Sequence, residues 1–115
     1  MMHWTTICQL EDIVPNTGVG ALLEGHQVAV FRLDDDSVFA IDNFDPRSGA
    51  NVLSRGIVGD LDGRLVVASP IYKQHIDLAT GECLEAPEHS VTAHGVRVVA
   101  GTIEIRLASA LHCAA

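Results

Sequence analysis

Basic residues are scarce in this sequence: seven Lys and Arg stand against fifteen Asp and Glu, for a formal charge of −8. Nucleic-acid binding draws on clustered cations that meet phosphates, so this composition argues against it. Long apolar runs are also missing. Hydrophobic residues make up 48% of the chain, yet runs such as Leu65 to Ala68 stop far short of the roughly 20 residues of a membrane helix. No transmembrane segment is expected. The opening Met1-Met2-His3-Trp4-Thr5 has neither the basic nor the apolar region of a secretory signal, and the expectation is a cytoplasmic protein. The three cysteines, Cys8, Cys83 and Cys113, are odd in number and far apart. With no Cys-x-x-Cys pair to suggest zinc or disulfide exchange, they read as free thiols.

A sustained helical period is absent too. No run of ten residues keeps one, and Gly or Pro recurs about every ten residues, the spacing of small all-β sandwiches and barrels. Trp4 to Cys8 reads as a short strand, followed by a turn-rich connection from Leu10 to Gly18. Val28 to Leu33 and Val38 to Ile41 are β-branched and aromatic runs joined by Asp34-Asp35-Asp36-Ser37. Those three aspartates read as a solvated hairpin tip, because a calcium loop places its acidic residues at alternate positions. Gly59 to Gly63 carries a turn signal, Arg64 to Ser69 reads as a strand, and Asn51 to Arg55 has room for one helical turn. The clearest hairpin is C-terminal: Val96 to Val99, an Ala100-Gly101 turn, then Thr102 to Leu107. Its register sets Val98 opposite Ile103 and Arg97 opposite Glu104. The chain reads as one domain over residues 1–115, with an ordered core of about 4–107 and a flexible tail over 108–115.

The most informative stretch runs from Asn43 to Pro87. It holds two loops, Asp45-Pro46-Arg47-Ser48-Gly49-Ala50 and Ser69-Pro70-Ile71-Tyr72-Lys73, with Asp77-Leu78-Ala79-Thr80-Gly81 and Pro87 after them. Their layout resembles the paired cluster-binding loops of Rieske domains, written Cys-x-His-x-Gly-Ala and Cys-x-x-His. In that register Asp45, Arg47, Ser69 and Tyr72 occupy the four ligand positions. A Rieske cluster needs two thiolates and two imidazoles. Arginine has no lone pair to give, and a serine or tyrosine hydroxyl would have to lose a proton at a cost a thiol does not meet. Only Asp45 can ligate, and one carboxylate is not a site.

The resemblance implies an all-β, Rieske-like antiparallel sandwich or barrel with two protruding loops and minimal helix. It narrows further. Ala40 to Pro46, Leu53-Ser54-Arg55-Gly56-Ile57-Val58-Gly59-Asp60, Ala68 to Gln74 and Thr80 to Leu84 resemble the small subunit of the NAD(P)H-dependent nitrite reductase. That family has lost the same ligands. It implies a chain without cofactor or metal of its own, serving nitrite-to-ammonium reduction in nitrate and nitrite assimilation. FAD, a [4Fe-4S] centre and sirohaem belong, on this resemblance, to its partner, the large subunit. The chain by itself is then non-catalytic, with no nucleic-acid or membrane partner. Arg47, Ile71, Tyr72 and Lys73 are expected at a partner-facing tip, and Asp45 and Arg47 are expected to reach Tyr72 and Lys73 through an ion pair and a phenol hydrogen bond. His75 departs from the family, which carries an aromatic or apolar residue there.

Blander readings stand beside these. Asp45-Pro46 is a common turn opener and Asn43 can close an Asx-turn. His89 and His94 are close enough for a metal site, but a surface loop explains them better. Cys83 lacks a histidine pattern that would make it a nucleophile and reads as a buried structural cysteine. Two other functional classes remain open: a Rieske-type [2Fe-2S] electron carrier, for which Cys83 and His75 are the only nearby Cys and His, and a free-standing binding module using the cleft between the loops.

Overall fold

The computed structural model describes residues 3–108. Its strands are β1 (Thr5–Gln9), β2 (Thr17–Leu23), β3 (His26–Arg32), β4 (Val38–Asp42), β5 (Phe44–Asp45), β6 (Ala50–Asn51), β7 (Ile57–Leu61), β8 (Arg64–Ala68), β9 (His75–Asp77), β10 (Ala93–Val99) and β11 (Thr102–Arg106). Among the described residues helix is confined to three single 3-10 turns, at Leu10–Asp12, Leu53–Arg55 and Pro87–His89. The strands form a six-stranded sheet in the order β1-β11-β10-β4-β3-β2, a three-stranded sheet β7-β8-β9 and the short β5-β6 ribbon. No helix among the described residues is long and apolar enough to cross a membrane.

The apolar run on β3 explains why the sheets wrap into two packed cores. Side chains alternate across a strand, and Val28 to Phe31 are all buried, so β3 has a core on each face. Ala29 and Phe31 join Leu33, Ile41, Leu53, Val67, Ile76, Leu78 and Cys83 between the two sheets. Val28 and Val30 join Ile13, Leu23, Ala40, Ile103 and Ile105 on the other side. The first of these cores takes residues from β8 and β9, the strands that hold the second loop.

Most expected elements are present, with local shifts. The β3–β4 hairpin carries the three aspartates at its tip, where Asp36 pairs with Arg32 at 2.8 Å and Asp35 accepts the Ser37 N–H at 2.9 Å. The C-terminal hairpin has the expected register, Val98 facing Ile103 and Arg97 facing Glu104, and the latter two pair at 2.6 Å. The Gly59 to Gly63 turn signal is too broad: β7 continues through Leu61, paired with Arg64, and only Asp62 and Gly63 turn, both with positive φ. Strand β2 went unassigned because its glycines break the alternation. Gly18 faces Phe31, where a Cβ would stand 2.6 Å from the ring, so this edge admits no side chain at that position. Of the expected tail, Ala108 donates its N–H to His94 Nδ1 at 3.1 Å, and 109–115 lie outside the described residues.

The six-stranded sheet is joined across its middle by few pairs, Ala93 to Ile41 and His94 to Ala40. Side chains reinforce that seam. His94 Nε2 and His26 Nε2 lie 2.8 and 2.7 Å from Asp42 Oδ1, and Thr92 donates its N–H to Asp42 Oδ2 at 3.2 Å. Because His94 Nδ1 accepts from Ala108, the ring proton of neutral His94 sits on Nε2 and is donated to Asp42. Burial alone would raise the Asp42 pKa. The hydrogen bonds from His94, His26 and Thr92 outweigh it and hold the carboxyl below its ordinary range. A carboxyl depressed in the folded state adds stability that is complete above its unfolded pKa and is lost as pH falls through the lower folded value. Asp42→Asn should therefore lower stability at neutral pH and flatten the acid limb below about pH 4, as read from urea midpoints across pH. An acid limb of unchanged slope would show that the seam does not titrate through Asp42.

Candidate functional site

The two loops lie at one end of the small sheets. Asp45 and Ala50 are the paired ends of the β5–β6 ribbon that carries the first, and the second connects β8 to β9 and closes on itself through the Lys73 N–H to the Ser69 carbonyl at 2.9 Å. Their bases are fixed by polar contacts that local sequence explains. Asn43, buried, accepts the Ser54 N–H on its side-chain oxygen at 2.8 Å, tying the entry of the first loop to the 3-10 turn rather than closing an Asx-turn. That turn belongs to Asp45, whose Oδ1 accepts the Arg47 N–H at 3.0 Å. After β9, Asp77 caps the Asp-Leu-x-Thr-Gly string by accepting the N–H groups of Ala79 and Thr80, while Arg64 holds its other oxygen at 2.9 Å. Burial tends to raise the Asp77 pKa, and these bonds, Arg64 first, bring it below the ordinary range.

The four ligand-position residues meet in two direct contacts. Ser69 donates its hydroxyl to Asp45 Oδ2 at 2.5 Å, with Ser69 2% and Asp45 3% exposed. Above that bond the Arg47 guanidinium lies 4.5 Å from the centre of the Tyr72 ring. The loops are thus tied, but not by the expected ion pair and phenol hydrogen bond. A carboxylate is satisfied by a buried hydroxyl and a backbone N–H, and the arginine uses the aromatic face. Among the described residues Lys73 forms no ion pair with Asp45, and Lys73 and Ile71 stand exposed at the tip.

This arrangement does not fit a [2Fe-2S] cluster. The donor set offers no thiolate and no imidazole, and two of its members bond to each other where a cluster would have to lie. Cys83 and His75 do not replace them. Cys83 is a fully buried core residue. His75 faces Glu85, with Nδ1 to Oε2 at 2.5 Å and the backbone N–H to Oε1 at 2.8 Å, a polar partnership that explains a histidine at that strand position. Cys8 has its thiol pKa pushed up by burial and by Asp12.

The surface-loop reading of His89 and His94 fails for His94, which is buried on β10. His94 meets His26 and Asp42, three residues whose ligand atoms lie within 4.8 Å of one another, while His89 faces Gln74 at 3.2 Å. A metal on His94 Nε2 would have to displace the proton now donated to Asp42 and set a second donor against the Ala108 N–H, so the cluster is a hydrogen-bonded seam. Sequence reasoning also missed a groove of about 420 Å³ beside the second loop, lined by Arg55, Ile57, Ala68, Ser69, Pro70, Lys73 and His75. The string Ser-Arg-Gly-Ile held the signal, an apolar residue exposed beside a cation.

Comparison with known proteins agrees with the geometry. Residues 3–106 match the family described as Rieske-like [2Fe-2S] domain. The nitrite reductase (NADH) small subunit of Salmonella typhimurium is 47% identical over 107 residues, covering 92% of this chain and 99% of that one. The crystal structure assigned to the NADH-dependent nitrite reductase small subunit of Mycobacterium tuberculosis superposes with a TM-score of 0.89 at 50% identity, covering 94% of this chain and 97% of that one. The nitrite reductase [NAD(P)H] large subunit of Klebsiella oxytoca contains a stretch 45% identical over 100 residues, 87% of this chain but 10% of its own length.

The two loop contacts should differ in weight. Asp45→Ala leaves a buried hydroxyl without its acceptor and should cost about 1–3 kcal/mol, whereas Tyr72→Ala removes an exposed cation–π contact of about 0.5–1 kcal/mol. Urea unfolding of the two variants checks the order. Equal losses would mean that the buried bond is not the principal tie.

Proposed function

Because the chain belongs to the Rieske-like small subunits of NAD(P)H nitrite reductase, we propose that it is an accessory subunit. It works in the cytoplasm beside a large subunit that reduces nitrite to ammonium. The observation that carries this reading is the end-to-end match to the Salmonella small subunit, which leaves almost none of that protein unaccounted for. The Klebsiella large subunit supports the partnership, since a domain of this kind is part of the large chain there.

The chain brings no redox centre of its own. At the positions where a Rieske domain would ligate iron, Asp45 and Ser69 bond to each other and Arg47 stacks on Tyr72. These residues hold the loops in shape without a metal, and the exposed Arg47 and Tyr72, with Ile71 and Lys73, form the surface turned toward the large subunit. Electrons therefore pass through cofactors of the partner, and this subunit contributes shape and surface.

Co-expression with the large subunit from the same organism should yield one complex in which nitrite-dependent NADH or NADPH oxidation falls when the small chain is omitted. The isolated chain, reconstituted anaerobically with iron and sulfide, should stay colourless and show no Rieske signal by EPR. Full activity of the large subunit alone would overturn the accessory role, and about two irons per chain would overturn the cofactor-free one.

A further inference from the structure

We propose that the two-loop end is a basic, apolar socket for a carboxylate-bearing segment of the large subunit, with an apolar side chain of that segment entering the groove beside the second loop. The inference rests on the accessory-subunit reading and assigns the chemistry of the contact. It follows first from where the cations are left over. Of the seven Lys and Arg in the chain, Arg32, Arg64 and Arg97 pair with carboxylates, and Arg106 lies 4.9 Å from the Trp4 ring. The other three, Arg47, Arg55 and Lys73, like Arg106, have no carboxylate within ion-pair distance among the described residues, and Arg47 stacks on Tyr72 as Arg106 does on Trp4. All three belong to the loops or to the groove beside the second of them.

Three of the nine exposed large apolar side chains among the described residues lie at the same end, including the most exposed of them. Ile57 is 78% exposed, Ile71 50% and Tyr72 51%. Ile57 shares the groove wall with Pro70 and with the cations Arg55 and Lys73. The groove's volume, about 420 Å³, has room for one or two side chains. Lys73 is held with φ at +59°, a left-handed backbone that a residue with a Cβ adopts at a cost.

Charge decides the occupant. A protein of net charge −8 is repelled by most acidic surfaces, so an end that gathers three of the four cations without a carboxylate partner orients it toward an acidic patch. Arginine and tyrosine beside an aliphatic groove are the residue types that anchor interfaces. The partner segment therefore presents an aliphatic or aromatic side chain flanked by Asp or Glu.

The test measures binding of the full-length chain to its large subunit by calorimetry at low and high salt. The wild-type affinity should fall steeply with salt. Arg55→Glu with Lys73→Glu should weaken binding at least tenfold and flatten the salt dependence, with an unchanged thermal midpoint. Ile57→Ser should weaken it without altering the salt slope. Arg97→Glu, on the C-terminal hairpin, serves as the control. Wild-type affinity in the double variant, or an equal loss in Arg97→Glu, would overturn the socket while leaving the accessory reading intact. No binding by the wild-type chain would overturn both. A wild-type dimer in solution that the double variant converts to monomer would assign the socket to a second copy and overturn the assignment to the large subunit.

Discussion

The buried hydrogen bond from Ser69 to Asp45 is the contact on which the loop end depends. It joins two segments separated by 24 residues, and both of its side chains are shielded from water. A buried carboxylate is tolerated only when its oxygens are satisfied. Here one oxygen takes the hydroxyl and the other the Arg47 N–H. Where a cluster would cross-link the loops in a Rieske domain, the Ser69 hydroxyl and the Asp45 carboxyl do so here. The Arg47–Tyr72 stack above it adds little stability and fixes where the exposed rings and charges point.

That bond is useful only because its two ends are already close. Leu53, Val67 and Ile76 bury the segments beneath the loops in one core with Ala29 and Phe31 of the central strand. Gly56 lets the chain pass against the end of β8, since a Cβ there would stand 2.3 Å from the Ala68 carbonyl oxygen. Asn43 and Asp77 then spend their side chains on backbone N–H groups at the loop entries. Polar residues beside the loops are thus mostly structural, and the surface they frame is where function is to be sought.

The sequence was most readable where pattern and turn chemistry agreed. Alternation and the Ala-Gly turn gave the C-terminal register to the residue, and Val28 to Leu33 was plain as a strand. Strand β2 was hidden because its Gly18 makes room for Phe31, a fact of packing and not of local propensity. The loop tie was legible as a position but not as chemistry. The spacing placed Asp45 near Ser69, whereas the choice of Ser69 over Tyr72 as its partner depends on which side chain the β8 terminus turns inward. The His26–Asp42–His94 seam had no sequence signal at all, because its members come from three strands brought together by sheet order. The groove at Ile57 had only the weak signal of an apolar residue two places from Arg55, since exposure of an apolar residue shows only after the rest of the core has formed.

This chain keeps the shape of a cluster domain with a protein hydrogen bond in the cluster's place. Native mass spectrometry of the complex purified anaerobically from the host tests it most directly. The small chain released from that complex should carry the mass of its polypeptide alone. A mass greater by two irons and two sulfides would contradict the claim.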